Sequence, residues 1–200
     1  MIVPVEWLKE YIDTDKSAEE IAETFTALGL LLDRPVEVSE YGNEVLDLEH
    51  RMDRADWLSI LGCARDFAAM ENIELKLPER FKEKGKTSKR EDIVPISVEC
   101  PDLVTRFTTK VIRNVKVGDS PKWMKQRLEE YGIPSINNIV DITNYVMVEY
   151  GQPLHAQDLD TFEKKEIVIK RAKDGKILTT LDGTKIKLAP EMFVLAQDDK

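Results

Sequence analysis

Residues Ile136 to Asp158, INNIVDITNYVMVEYGQPLHAQD, carry the pattern from which the rest of the chain is interpreted. Apolar side chains recur there at close to the helical period, which predicts an amphipathic helix. We expect Asn138 to cap this helix and Asp141 to accept hydrogen bonds in its first turn. Gly151, with a proline two residues later, is expected to end it. The stretch therefore predicts a helix followed by a sharp turn.

Three polar side chains of this stretch form a candidate site. Thr143 and Asn144 lie near the middle of the predicted helix, and His155 follows the turn. An imidazole exchanges between hydrogen-bond donor and acceptor near neutral pH, which suits the activation of water. A structural interpretation is open for each: Thr143 bonds back to a helical carbonyl, Asn144 faces solvent, and His155 bonds the backbone of the turn. For His155 taken alone, the structural interpretation is favoured.

The same stretch resembles a known family. VDITNYV followed by GQPLHA is similar to the editing module of the beta subunit of bacterial-type phenylalanyl-tRNA synthetase, and this ordered pair is specific. The resemblance covers nearly the whole chain, with further similar segments at VEWLKEYID, LSILGCARDFAA, GDSPKWMKQRLEEYGI and TTLDGTKIKL. It implies that His155 is the editing histidine, which contacts a misattached tyrosine or the water that attacks its ester. It also implies that Thr143 and Asn144 line the pocket; Asn137 is a further substrate-binding candidate, although helix capping is its simpler explanation.

The resemblance implies a heterotetramer of two alpha and two beta subunits that joins phenylalanine to tRNA(Phe) using ATP and magnesium. Those steps belong to the alpha subunit, so no cofactor is expected in this fragment. The fragment would contribute scaffolding and the hydrolytic editing of Tyr-tRNA(Phe). Editing is needed because an apolar pocket rejects an added hydroxyl poorly, whereas a second pocket that hydrogen-bonds the hydroxyl excludes phenylalanine. The alternatives are a free-standing tRNA- or aminoacyl-binding module without catalysis, and a scaffold for the alpha subunit.

The chain departs from the family in three places. The family inserts an oligonucleotide-fold tRNA-binding domain into the first module, but here the chain passes almost directly from Val38 to Glu44. The family's Asn-Arg-Pro-Asp tetrapeptide is replaced by the four residues from Asp53 to Asp56. The sequence also stops before the family's Gly-rich loop and functional glutamate, so the fragment alone is expected to hydrolyse Tyr-tRNA poorly. The chain is either a fragment of a longer protein or a natural short relative.

The element pattern predicts an α+β fold in two modules. A small helix-rich N-terminal module at 1–78 precedes an exposed polar linker at 79–91 and a mixed α/β editing-type module with antiparallel strands at 92–200, which is C-terminally incomplete. In the first module a capping box at Ser17 begins a helix that Gly29 ends. A second helix is expected to begin near Asp53 or Asp56 and end near Asn72. Residues 43–49 are expected to form a strand.

In the second module, Thr105 to Val117 is interpreted as a long β-rich run. Ser120 and the following proline are expected to open a helix as its N-cap and first residue, with Trp123 and Met124 in the core. Asp182-Gly183 between two apolar runs predicts a two-residue hairpin.

Composition limits the classes of function. A net charge of -9 repels phosphate, so nonspecific binding of nucleic acid is not expected and any contact with RNA should be local. Cys63 and Cys100 are expected to be buried reduced thiols. Asp158 and Asp160 lack a third ligand, so no metal site is expected there. No apolar run reaches bilayer length, and we expect a soluble cytoplasmic protein with no membrane partner. His50 is interpreted as a surface residue.

Overall fold

The computed structural model of the chain describes residues 1–49, 51–77, 94–162, 166–180 and 183–196. They belong to two compact units, one of Met1–Lys82 with Lys116–Ala156 and one of Glu83–Val115 with Gln157–Lys200. Among the described ranges, no helix has the length and apolar character needed to cross a bilayer. The predicted linker at 79–91 and His50 fall outside the described residues. The predicted module boundaries at residues 78 and 92 stay a prediction. In the packing of the structure, residues 116–156 belong with the N-terminal part of the chain.

In its described residues, the first unit combines a three-stranded antiparallel sheet with five α-helices and a short 3-10 helix at Ala55–Trp57. Strand β3 lies between β1 and β2. The elements are β1 (Ile2–Pro4), α1 (Val5–Leu8), α2 (Ala18–Leu28), β2 (Leu32–Val38), β3 (Glu44–Leu48), α3 (Ile60–Glu71), α4 (Lys122–Tyr131) and α5 (Asn138–Tyr150). Among the described residues, twelve of the largest fully buried side chains lie in this unit: Trp7, Trp57, Phe25, Phe67, Leu8, Ile12, Ile21, Leu30, Leu46, Leu48, Ile60 and Leu128. The predicted strand at 43–49 is confirmed as β3.

Helix α2 begins and ends as its sequence predicts. The Ser17 hydroxyl accepts a hydrogen bond from the backbone N–H of Glu20, and the Glu20 carboxylate accepts one from the backbone N–H of Ser17. These reciprocal bonds satisfy two donors that a helix start leaves without partners. Gly29 ends the helix with φ at 95°, a conformation that costs glycine little.

Strands β2 and β3 are joined by a closed turn. The backbone N–H of Ser39 donates to the carbonyl of Asn43 at 2.8 Å, and that of Gly42 donates to the carbonyl of Ser39 at 2.9 Å. The Ser39 and Asn43 side chains both donate to the carboxylate of Glu130 on α4, at 3.0 and 2.7 Å. No domain is inserted between the two strands, as the sequence predicted.

Helix α3 begins later than predicted, at Ile60 rather than near Asp53 or Asp56. The Ser59 hydroxyl accepts from the N–H of Gly62 at 3.0 Å and is the N-cap. The two aspartates form ion pairs with nearby arginines instead of capping a helix. The end of the helix at Asn72 is confirmed, with φ at 52°.

Helix α4 starts differently from the prediction. Pro121 is its N-cap and makes no side-chain capping bond, while the Ser120 hydroxyl donates to the carboxylate of Asp141. Met124 is buried as expected, but Trp123 is 50% exposed and is not a core residue. The helix ends before Gly132, whose φ is 95°.

The second unit is built from short strands. They are β4 (Ile96–Val98), β5 (Ile167–Arg171), β6 (Ile177–Thr179), β7 (Lys185–Lys187) and β8 (Phe193–Ala196). Strand β5 pairs in parallel with β4 and antiparallel with β8, and β6 pairs antiparallel with β7. The β6–β7 pairing confirms a hairpin, but its loop is not the predicted two-residue one. Thr179 pairs with Lys185 and the N–H of Thr180 donates to the carbonyl of Thr184, so three residues, 181–183, lie between the paired residues. Residues 181–182 fall outside the described ranges. Helices and mostly antiparallel strands together confirm the α+β class.

The predicted β-rich run from Thr105 to Val117 is wrong, because this segment contains no strand. Asn114 has φ at 59°, which breaks an extended backbone. Ile112 and Val117 are 73% and 65% exposed. Strand propensity expresses the packing of side chains against a neighbouring strand, and these side chains lack that packing.

Candidate functional site

The N-terminus of α5 is capped by Asn137 rather than by Asn138 as predicted. The Asn137 side chain accepts hydrogen bonds from the backbone N–H groups of Ile139 and Val140, at 3.0 and 3.1 Å. Its oxygen is therefore committed to the helix, which supports the structural interpretation of this residue.

Asn138 instead joins the start of α5 to the segment before α4. Its side-chain oxygen accepts from the N–H of Gly118 at 3.1 Å, and its side-chain nitrogen donates to the carbonyl of Lys116 at 3.0 Å. Its backbone N–H also donates to the carbonyl of Gly118 at 2.9 Å. Three bonds at one residue fix the first turn of the helix to this segment.

Asp141, in that first turn, is a fully buried carboxylate. It accepts hydrogen bonds from the backbone N–H of Ile136 at 2.9 Å, from the Ser135 hydroxyl at 2.6 Å and from the Ser120 hydroxyl. Burial raises the pKa of Asp141, but these hydrogen bonds to the charged form outweigh burial and lower the pKa below its usual value. Asp141 is an acceptor as predicted, but its donors precede the helix instead of lying in its first turn. The carboxylate links α5 to the residues before it and to the residue before Pro121.

Thr143 and Asn144 lie on the middle turns of α5, and both are partly buried. The Thr143 hydroxyl donates to the carbonyl of Val140 at 2.7 Å, so its proton is used within the helix while its oxygen can still accept. The Asn144 side chain makes no hydrogen bond to another described residue. Its two donors and its oxygen are available to a ligand.

His155 follows the predicted end of α5, where Gly151 adopts φ at 73°. The imidazole is exposed and is not hydrogen-bonded to any described residue, unlike in the structural interpretation of this residue. Asn144 lies about 10 Å before Gly151 along the helix axis, at about 1.5 Å per residue. The residues from Gly151 to His155 span up to about 13 Å when extended, so the imidazole has the reach to approach the amide. That the two side chains and Thr143 line one pocket stays a prediction.

A cluster of aromatic rings on the inner face of α5 was not singled out from the sequence. Tyr145 stacks on Trp7 with ring centroids 4.7 Å apart and an interplanar angle of 21°. Trp123 of α4 meets Tyr145 edge-on, at 5.4 Å and 89°. The Arg127 guanidinium lies 5.3 Å from the Trp7 ring and 5.5 Å from the Trp123 ring. These contacts hold α5 against α1 and α4.

Polar bonds complete this cluster. Arg127 donates to the Tyr145 hydroxyl at 2.8 Å and forms an ion pair with Glu10. The Glu149 carboxylate accepts from the Tyr145 hydroxyl at 3.1 Å and also from the Tyr11 hydroxyl. Burial and then the Glu149 carboxylate raise the pKa of both tyrosines above the ordinary value, so both stay protonated donors at neutral pH.

The sequence did contain a signal for this cluster. Trp7 and Tyr11 are four residues apart, as are Tyr145 and Glu149, and residues four apart share one face of a helix. The spacing does not predict that the two faces contact each other, because they are far apart in the sequence.

The altered tetrapeptide after β3 forms a local ion-pair network. Arg54 makes two bonds to the Asp56 carboxylate, at 3.0 and 2.7 Å, and also pairs with Asp66. Its guanidinium lies 3.7 Å over the Trp57 ring, whose indole N–H donates to Asp66 at 2.6 Å. These residues bind one another, so their arrangement is structural.

Other candidates have structural roles too. Asp158 accepts from the backbone N–H of Asp160 and starts a short 3-10 helix, as expected. Within the described parts of the chain, no group of three or more His, Cys, Asp or Glu side chains is placed to hold a metal ion. Cys63 and Cys100 are buried free thiols, which confirms the prediction, and burial raises the pKa of Cys63 to about 12.

Comparison with known proteins agrees with the resemblance inferred from the sequence. Residues 103–200 match the family model of the B3/4 domain. The phenylalanine–tRNA ligase beta subunit of Carboxydothermus hydrogenoformans is 43% identical over 175 residues, which are 86% of this chain and 21% of the relative. That of Rhodopirellula baltica is 38% identical over 197 residues, 98% of this chain and 28% of the relative. The chain thus spans less than a third of the length of these curated relatives.

A crystal structure of an N-terminal fragment of the phenylalanyl-tRNA synthetase beta subunit from Pyrococcus horikoshii is also similar. The similar part covers 94% of this chain and 50% of the Pyrococcus horikoshii chain, with 18% sequence identity and a TM-score of 0.46. The resemblance is confirmed by the curated relatives.

Proposed function

We propose, from the match of residues 103–200 to the B3/4 domain model and from the curated relatives, that this chain forms part of a phenylalanine–tRNA ligase beta subunit and edits Tyr-tRNA(Phe) by hydrolysis. The relatives bear that subunit's name, and their similarity extends over up to 98% of this chain. Aminoacylation with ATP and magnesium would belong to the alpha subunit, and tRNA(Phe) would be the shared substrate.

One structural observation supports the editing site. The side chains of Asn144 and His155 make no hydrogen bond to another described residue; Asn144 lies on a helix whose first turn is fixed by Asn138, and His155 follows the glycine that ends this helix. A binding site needs polar groups of this kind, held in place by the backbone but not consumed by internal bonds. Asn137, by contrast, spends its oxygen on the helix cap, and we do not assign it to substrate binding.

The chemistry of the three side chains suits ester hydrolysis. The Asn144 amide can donate to the carbonyl oxygen of the ester as negative charge develops there. The His155 imidazole can accept a proton from the attacking water. Thr143 can only accept, since its proton is used in the helix, and this matches the hydroxyl of a tyrosine side chain. A phenylalanine in the same place would leave that oxygen without its donor.

Deacylation of Tyr-tRNA(Phe) by the full beta subunit assembled with its alpha subunit tests this proposal. We expect His155→Ala to lower the rate by about 100- to 10,000-fold, as for loss of a general base, while charging of phenylalanine is unchanged. Gln152→Ala, an exposed neighbour of the same turn, serves as the control. An unchanged deacylation rate in the His155 variant would overturn the proposal.

The binding module without catalysis is separated by the same variants. If the wild-type assembly binds Tyr-tRNA(Phe) but leaves its ester intact, and His155→Ala weakens only that binding, the site recognises the aminoacyl group without hydrolysing it.

A further inference from the structure

We propose that Tyr11, Arg127 and Glu149 are positioning residues for the α5 site: they fix the rotation of α5 about its axis and thereby the placement of Asn144. The expected effect on activity rests on the proposed editing function. The contacts that position α5 all lie within the first unit.

The clamp consists of one carboxylate and one guanidinium that share the Tyr145 hydroxyl. Glu149 accepts from both Tyr145 and Tyr11, so it links α5 to the segment after α1. Arg127 donates to the same Tyr145 hydroxyl and pairs with Glu10. Tyr145 is thus held from two other parts of the chain, the segment after α1 and helix α4.

Rings fix the tilt of this joint while the polar bonds fix its rotation. The Tyr145 ring stacks on Trp7, which is fully buried, and meets Trp123 edge-on. Stacking alone permits sliding of one ring over the other. The indole N–H of Trp7 is buried and makes no hydrogen bond of ordinary geometry to a described residue, although it is close enough to the Tyr11 hydroxyl to lower the pKa of that group against the larger effect of burial. The directional contacts at this joint therefore come from the Tyr145 hydroxyl and the carboxylate of Glu149.

The site side chain is adjacent to the clamp. Asn144 directly precedes Tyr145 and projects about 100° away around the helix. A side chain about 5–6 Å from the axis moves by about 1 Å when the helix turns by about 10°. Misplacement of a catalytic group by about 1 Å costs about 100-fold in rate. A small loss of rotational control at Tyr145 is therefore expected to matter for a donor at Asn144.

The test uses Tyr145→Phe, which keeps the ring stack and removes the hydroxyl, with Tyr11→Phe as a second variant that leaves α5 intact. Tyr150→Phe, an exposed tyrosine of the same helix, is the matched control. In deacylation of Tyr-tRNA(Phe) by the assembled enzyme, we expect kcat to fall about 10- to 100-fold for Tyr145→Phe and less for Tyr11→Phe, with KM within about twofold. The control is expected to match wild type.

A second readout does not depend on activity. In the 200-residue chain, the side-chain amide resonance of Asn144, assigned from its loss in Asn144→Asp, is expected to shift in Tyr145→Phe and Tyr11→Phe but not in Tyr150→Phe. If the amide shifts and the wild-type enzyme does not deacylate, the positioning holds and the proposed function fails. The positioning inference is overturned if the wild-type enzyme is active and both Tyr145→Phe and Tyr11→Phe match the Tyr150→Phe control, either in kcat or in the Asn144 amide resonance.

Discussion

The two compact units of the chain differ in how completely they bury their apolar side chains. In the first, Trp7, Trp57, Phe25 and Phe67 are all at most 1% exposed. In the second, Ile169 is fully buried but Phe193, on the strand next to it, is 50% exposed. Burial of large side chains is the main source of folding free energy. The first unit is therefore the better-packed and more stable part of the chain, and the candidate helix α5 belongs to it.

The largest expected difference in stability between the two units comes from removing one phenylalanine ring from each. Phe67→Ala is expected to lower the free energy of unfolding of the first unit by about 3–5 kcal/mol, because it leaves a cavity beside Phe25. Phe193→Ala removes a half-exposed ring and is expected to cost about 1 kcal/mol or less.

Urea unfolding followed by far-UV circular dichroism, which reports both units, measures this difference. Trp7, Trp57 and Trp123 are all the tryptophans of the chain and all lie in the first unit, so tryptophan fluorescence identifies the transition of that unit. The expected result is a large shift of the first unit's midpoint for Phe67→Ala and a small shift of the second unit's midpoint for Phe193→Ala. A fluorescence midpoint that Phe193→Ala shifts as much as Phe67→Ala does would contradict this expectation.

The buried carboxylate of α5 gives the next effect. Asp141→Asn replaces an acceptor of three hydrogen bonds by a group whose nitrogen must face a donor, and is expected to cost about 1–3 kcal/mol. Asp158→Asn, an exposed cap of a short turn, is the control.

The pH dependence of this loss has a defined sign. The pKa of Asp141 is lowered in the folded chain, so its stabilisation is fully present above the pKa of the unfolded state and disappears as pH falls through the folded value. The destabilisation by Asp141→Asn, measured by urea unfolding, should therefore be larger at pH 7 than at strongly acidic pH. A penalty that does not change with pH would contradict the assignment of a charged carboxylate.

The labelling rates of the two cysteines give the smallest expected difference between the two units. Cys63 lies in the first unit and Cys100 in the second, and both are buried. A thiol reagent reaches a buried thiol only through local opening, which is rarer in a better-packed region. Cys100 is expected to be labelled at least about tenfold faster than Cys63 at pH 8, as measured by mass spectrometry with Cys63→Ser and Cys100→Ser as single-thiol controls. Equal rates would place both thiols in regions of similar stability.

Local rules predicted the parts of this fold that depend on neighbouring residues. The capping box at Ser17 and the left-handed glycines that end α2, α4 and α5 follow from backbone chemistry within one turn. The choice between Asn137 and Asn138 as the cap of α5 does not, because both fit the same local rule. Asn138 was drawn away by a bond to Gly118, twenty residues earlier in the sequence.

Non-local packing accounts for the remaining errors. Ser120 fits an N-cap, yet its hydroxyl serves Asp141 on another helix. The apolar pattern of Thr105 to Val117 favours a strand but does not specify a neighbouring strand. The candidate residues Thr143, Asn144 and His155 came from resemblance, whereas the clamp around Tyr145 required the structure, since α1 and α5 are more than a hundred residues apart.

The central claim is that the segment carrying Thr143, Asn144 and His155 distinguishes tyrosine from phenylalanine by the phenolic hydroxyl, which donates to Thr143. Titration of the 200-residue chain with adenosine carrying a 3′-amide-linked tyrosine, and with the matching phenylalanine compound, tests it most directly. The account predicts that the tyrosyl compound binds at least about tenfold more tightly, and that Thr143→Val, which removes the accepting oxygen, abolishes this preference. Equal affinity for the two compounds, or a preference that Thr143→Val leaves unchanged, would contradict it.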